Sequence, residues 1–114
     1  ELTPYSCDKG ADVVVHPMQS ENPGLLIQVK QRNAGGKPGG EAVDEIIAAK
    51  PFYQEKYSTT FKPIVITNRT FTNEARRLSR TNEVQMYERK WIIENLTQYP
   101  VTWTDVNLCQ FQTV

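Results

Sequence analysis

Histidine is almost missing from this chain of 114 residues: His16 is the only one. Cysteine is scarce too, with Cys7 and Cys109 near opposite ends. No Cys-x-x-Cys pair and no Cys/His cluster exists, which excludes a structural zinc site. A hydrolase built on a histidine base would have to use His16, beside Pro17, and the expectation is a solvated strand-end residue instead. Two cysteines are not a disulfide framework. A bridge between them stays open, but free thiols in a reducing, cytoplasmic setting are the expectation. No apolar run approaches the roughly 20 residues that span a bilayer. Glu1-Leu2-Thr3-Pro4 has neither a basic nor an apolar leader region, so no secretory signal is read. The acceptor triplets Asn68-Arg69-Thr70 and Asn95-Leu96-Thr97 are therefore discounted as glycosylation sites. An initiator Met is also missing, and a fragment or processed form is expected. Charge of one sign is lacking as well: 13 basic and 13 acidic residues give a formal net charge of zero. That argues against binding driven by global charge, though not against a local basic patch.

What is present describes one folded domain over 1–114. Hydrophobic residues make up 39% and charged residues 23%, which is neither disordered nor fibrous. Leu2 to Ser6 reads as a short strand and Cys7-Asp8-Lys9-Gly10 as a turn. Ala11 to Val15 and Leu25 to Lys30 read as strands paired in a hairpin. Asn33 to Gly40 is a glycine-rich loop, not a phosphate-binding P-loop, because no Gly-Lys-Ser/Thr closes it. A helix begins near Glu41, with Val43, Ile46 and Ile47 at helical spacing. Pro51 should kink or restart it, and Phe52, Tyr53 and Tyr57 should continue its apolar face. Lys62 to Asn68 reads as a strand, with Pro63 acceptable only near its start or at an edge. Thr72-Asn73-Glu74 resembles a helix cap and acidic first turn, with Ala75, Leu78 and Ser79 inward. Val84 to Tyr87 reads as a strand and Glu88 to Tyr99 as a helix with Trp91, Ile92 and Leu96 inward. Val101 to Val106 reads as a last strand. Alternation of this kind implies an α/β domain, a mixed β-sheet flanked by helices.

Two polar spots interrupt apolar strands. Asp12 opens Val13-Val14-Val15, and Lys30 ends a strand that carries Gln28. Alternate residues of a strand share a face, so Gln28 and Lys30 point the same way, and in a hairpin Asp12 can join them. A carboxylate, an amide oxygen and an ammonium at one sheet edge suit metal-assisted phosphodiester hydrolysis. Mg²⁺ (or Mn²⁺) prefers oxygen ligands; Asp12, the Gln28 side-chain carbonyl and the Val29 backbone carbonyl would offer them. Lys30 would position the nucleophile and meet charge developing on phosphate. Spacing alone equally allows a strand-end ion pair with Gln28 solvated.

The chain resembles the catalytic domain of Mrr-type restriction endonucleases, the branch of the PD-(D/E)xK nucleases that often carries Gln at the second acidic position. The resemblance rests on Gly10-Ala11-Asp12-Val13-Val14-Val15, Ile27-Gln28-Val29-Lys30, Ala42-Val43 to Tyr53, Ile64-Val65-Ile66-Thr67-Asn68, Phe71-Thr72 and Ala75. It runs from about Asp8 to Leu96, leaving 97–114 as an extension. It implies a restriction-endonuclease-like fold and Mg²⁺-dependent DNA cleavage. Asp12 matches the metal-binding Asp, Gln28 the substituted acid and Lys30 the catalytic Lys. Thr67 and Asn68 match a strand end expected to be structural. The family's helix before the first strand has no counterpart here, so a longer parent or another chain would supply it.

From Lys62 to Lys90 seven basic residues face three acidic ones, a net charge of +4. Arg76, Arg77 and Arg80 fall within one helix and could neutralise phosphates, or simply form a solvated face. Arg32 and Lys37 lie just beyond the candidate site, where they could hold the scissile strand. The leading expectation is a DNA endonuclease domain, the cutting module of a restriction or defence protein or of a nuclease toxin. A targeting domain or partner chain would direct it, and a homodimer would cut both strands. The alternative is a catalytically inactive DNA-binding or assembly module on the same fold. A Gln28→Glu change, which adds ligand charge, should be tolerated by a catalytic site.

Overall fold

The computed structural model describes residues 10–19, 21–33, 36–102 and 104. Three runs of β-branched and apolar residues form the sheet: β1 (Val13–Val15), β2 (Gly24–Lys30) and β3 (Phe61–Thr67), joined by the shorter β4 (Gln85–Tyr87). The strand order is β1-β2-β3-β4. β1 pairs antiparallel to β2 with Val13 opposite Ile27, which is the expected hairpin. β2, β3 and β4 run parallel, with Ile27 opposite Ile64 and Ile64 opposite Gln85. Parallel neighbours need a crossover, and helices supply it: α1 (Gly40–Tyr57) between β2 and β3 and α2 (Asn73–Thr81) between β3 and β4, with α3 (Arg89–Gln98) following β4. Pro63 lies near the start of β3, beyond the stretch that β4 reaches, so its missing N–H is tolerated there.

The core lies between the sheet and α1. Val14, Leu26 and Val65 meet Val43 and Ile46, all fully buried. Ala42, Ala49 and Tyr53 extend the same face of α1. α1 runs unbroken through Pro51, so the expected restart does not occur. Pro51 sits on the exposed side of the helix, where one missing bond is outweighed by the packing of Ala49 and Tyr53. Phe52, expected inward, is exposed. Ser58 closes α1 in the left-handed region at φ 51, and its N–H donates to the Gln54 carbonyl.

α2 starts as the sequence implies, with Thr72 Oγ1 accepting from the Ala75 N–H at 3.2 Å. Ala75 and Ser79 are buried and Leu78 is half-buried, which packs α2 on the core. α3 departs from expectation: it buries no residue, and Trp91 and Leu96 are exposed. Its spacing is helical, but the contact of Trp91 with Tyr87 of β4 leaves that face largely uncovered among the described residues. Val101 and Thr102 form no strand; the rest of the expected last strand, the expected strand at Leu2 to Ser6, and both cysteines lie outside the described residues.

Candidate active site

The β1–β2 register places Asp12 opposite Gln28, one pair beyond Val13 and Ile27. Strand alternation then puts Asp12 and Val14 of one chain segment, and Leu26, Gln28 and Lys30 of the other, on the face turned to α1. That face is apolar at Val14 and Leu26 and becomes polar toward the end of β2. The three residues singled out by sequence are therefore brought together at one sheet edge.

A fourth residue joins them, which sequence reasoning missed. Glu45 on α1 accepts through Oε2 from Gln28 Nε2 at 2.8 Å and from Lys30 Nζ at 2.5 Å. The Lys30 side chain is 15% exposed and that of Glu45 42%, so the pair sits at the mouth of the core. The helical spacing carried the signal: Glu45 lies beside Ile46 and between Ala42 and Ala49, all buried. Asp12 is held separately. Its Oδ2 accepts from the Val29 N–H at 2.7 Å, and its own N–H donates to the Ile27 carbonyl at 2.8 Å.

Gly10 makes this closeness feasible. Its φ is +90, and a Cβ there would stand 2.6 Å from the Glu45 carbonyl oxygen. The turn before Asp12 therefore rests directly on the backbone of α1 at Glu45.

Gln28 is only 5% exposed. Its Nε2 is satisfied by Glu45, but its Oε1 is buried with no hydrogen-bond partner. Leaving such an oxygen unpaired costs about 1–3 kcal/mol. The donor set is two carboxylates and a neutral oxygen. Among the described residues no three His, Cys, Asp or Glu side chains converge as a metal cluster. An oxygen-rich site with one or two carboxylates suits Mg²⁺, which keeps several waters.

A rim surrounds this centre. Asn68, just past β3, exchanges two hydrogen bonds with the backbone of Arg32: Arg32 N–H donates to Oδ1 at 2.9 Å, and Nδ2 donates to the Arg32 carbonyl at 3.1 Å. Asn68 thus pins the chain leaving β2, the structural part expected of it. Thr67 is fully buried, and its Oγ1 accepts from the Arg69 N–H. The Arg32 guanidinium lies 3.4 Å from Glu41 Oε1. The backbone N–H of Glu41 itself, then that of Gly39 and the Arg32 guanidinium, hold the Glu41 carboxyl below its ordinary value against the opposing effect of burial. Lys37 is exposed on the same approach.

The α2 arginines form a separate group, toward β4 and two strands from β2. Arg76 pairs with Glu88 at 2.8 Å, and Glu88 also accepts from the Phe71 N–H at 2.7 Å. Arg77 and Arg80 are exposed. Arg76 and Arg80 line a cleft of about 510 Å³ that Tyr87 and Trp91 share, their rings 4.2 Å apart. His16 sits at the opposite end of β1 from Asp12, its ring edge-on to Tyr57 at 4.6 Å, so it takes no part in this site.

No curated protein and no solved structure matches the chain. A family model does: the one described as restriction endonuclease, the Mrr catalytic domain, matches residues 1–96. Its span takes in the hairpin bearing Asp12, Gln28 and Lys30, the crossover helix with Glu45, and the parallel strands beyond. With a mixed sheet flanked by helices as the match requires, the chain belongs to the Mrr-type restriction endonuclease family.

Proposed function

We propose that this chain is a Mg²⁺-dependent deoxyribonuclease whose reaction runs at the edge formed by Asp12, Gln28 and Lys30. The observation that carries this reading is the Gln28 Oε1: a buried, unpartnered carbonyl oxygen, beside a carboxylate and an ammonium, is what a hard cation would satisfy. Asp12, Gln28 Oε1 and the Val29 backbone carbonyl would hold the ion. The Val29 N–H already meets Asp12, and its carbonyl faces the same side of the strand. When bound, the ion would acidify a water and neutralise phosphate charge. Lys30 then has two tasks: its ammonium orients the attacking water against the scissile phosphate, and it meets the charge that develops there. Glu45 fixes the Lys30 ammonium in place for both. Asn68 steers Arg32 onto the strand being cut, and Lys37 approaches from the loop before α1. Arg77 and Arg80, with Arg76 behind its Glu88 partner, would take phosphates farther along the duplex.

A homodimer would present two such sites to the two strands, and the exposed Trp91, Ile93, Leu96 and Tyr99 of α3 and the residue following it support an interface there. A targeting domain or partner chain would choose the DNA. The setting would be a cytoplasmic defence or restriction system, or a nuclease toxin. The second reading, an inactive DNA-binding or assembly module, is favoured by one feature, the lack of a three-carboxylate cluster among the described residues.

Supercoiled plasmid separates the two. Nicking or linearisation with Mg²⁺ that stops in EDTA and in Lys30→Ala is the expected result. Folded protein that neither cuts DNA nor binds Mg²⁺ or Mn²⁺ would leave the binding-module reading.

A further inference from the structure

The neutral Gln28 sits opposite a carboxylate that neither the strand pattern nor the family match assigns to the site. We propose that Glu45 is the second carboxylate of the metal site and that Gln28 is the residue that holds it there, so that the acid of this site has moved from strand to helix. The proposal rests on the nuclease reading above and adds a ligand to it.

Three observations support it. First, Gln28 and Lys30 converge on one oxygen of Glu45, Oε2, at 2.8 and 2.5 Å. Among the described residues no hydrogen bond engages Oε1, and the Glu45 side chain is 42% exposed, open to an ion and its waters. Second, the donation from Nε2 fixes the amide the other way round from what a carboxylate at position 28 could offer. The amide turns its donor to Glu45 and leaves Oε1 for another electropositive partner. Third, the Gly10 turn rests on the Glu45 backbone, so the segment that carries Asp12 is referenced to Glu45 by direct contact.

This arrangement gives Gln28 a reason to be neutral. A glutamate at 28 would bring a second carboxylate to the place where Nε2 now stands, 2.8 Å from Oε2. With Lys30 as their single cationic neighbour among the described residues, two like charges at that distance oppose each other's ionisation, and a bound cation would relieve them. The Gln28→Glu change expected from sequence to be harmless is therefore disfavoured in the metal-free protein. Exchanging the pair, Gln28→Glu together with Glu45→Gln, restores one acid and one amide at the same contact.

The test is Mn²⁺ binding by the whole chain without DNA, followed by electron paramagnetic resonance of the free ion, in wild type, Asp12→Asn, Glu45→Gln and the exchanged double variant. Glu45→Gln should weaken Mn²⁺ roughly 10- to 100-fold, the range seen when groups that tune a metal site are lost. The exchanged variant should recover most of that loss, because it returns one carboxylate to the contact; Glu45→Gln that melts like wild type yet binds Mn²⁺ weakly separates a ligand from a plain structural role. Circular dichroism melts verify that each variant is folded; if Glu45→Gln is not, the exchanged variant decides alone. Wild-type affinity in folded Glu45→Gln, with Asp12→Asn impaired, overturns the proposal and leaves the nuclease reading standing. An exchanged variant that is folded yet binds no better than Glu45→Gln also overturns it. Absence of Mn²⁺ binding in wild type removes both.

Discussion

Gly10→Ala should destabilise this protein strongly, and the cost can be worked out from where the methyl goes. At φ +90 an alanine is strained, which costs about 1–3 kcal/mol. The new Cβ also stands 2.6 Å from the Glu45 carbonyl oxygen and 3.3 Å from the Ala49 Cβ. Both belong to α1, which is packed on Val14 and Leu26, so neither can withdraw cheaply. Overpacking of this kind adds about 1–3 kcal/mol. The total is about 2–6 kcal/mol, or a fall in Tm of roughly 6–30 °C at about 3–5 °C per kcal/mol for a domain of this size. Gly36→Ala is the control, since its Cβ would come no closer than 3.3 Å to any neighbour and no positive φ is involved. Thermal melts by circular dichroism, with urea titration of both variants, make the comparison. A Gly10→Ala shift no larger than that of Gly36→Ala would refute the claim that the Asp12 segment is seated on Glu45.

Further outcomes follow from the same contacts. Asn68→Ala removes both bonds to the Arg32 backbone, and should destabilise by about 1–3 kcal/mol in denaturant titration while lowering plasmid cleavage at an otherwise intact Lys30. Thr72→Ala removes the cap on α2 and should cost about 1 kcal/mol. The Glu41 carboxyl, held below its ordinary value of 4.5, contributes stability that is present above that value and is lost as pH falls through the lower folded value. Glu41→Gln should therefore lower stability at neutral pH, leave the acid end of a stability–pH curve nearly unchanged, and so flatten the limb between them; an unaltered acid limb would count against it. Arg77→Ala and Arg80→Ala together should weaken DNA binding and reduce the slope of log affinity against log salt by about 2, with no change in Mn²⁺ affinity.

The strands were legible because β-branched runs such as Val13-Val14-Val15 and Ile64-Val65-Ile66 leave few alternatives. The hairpin register followed from the same alternation, and with it the meeting of Asp12, Gln28 and Lys30. At Pro51 the expected restart did not occur, because a local rule about one missing N–H was set against a helix whose other side is packed on the sheet. α3 misled for the opposite reason: periodicity shows which residues of a helix could be buried together, not whether anything lies against them. Trp91 and Leu96 keep helical spacing and remain exposed.

Glu45 was the harder case. Its charge alone does not distinguish it from Asp44 or Glu55, which α1 also carries; only its helical spacing to Ala42 and Ala49 does. What sets it apart is the rotation of α1 over β2, fixed by Ala42, Ile46 and Ala49 seating on the sheet. Once those three are inward, the side chain one step before Ile46 must emerge at the sheet edge, where Gln28 and Lys30 wait. The apolar core therefore determines which acid enters the site, and the glutamine on β2 is the natural complement to that acid. A strand reading taken alone finds Gln28 a weak ligand in a strong ligand's place; read across the strand–helix contact, it is a donor and an acceptor whose two ends have different partners. The donor end already has Glu45, and the buried oxygen at the other end has no hydrogen-bond partner; the proposed cation is what would satisfy it.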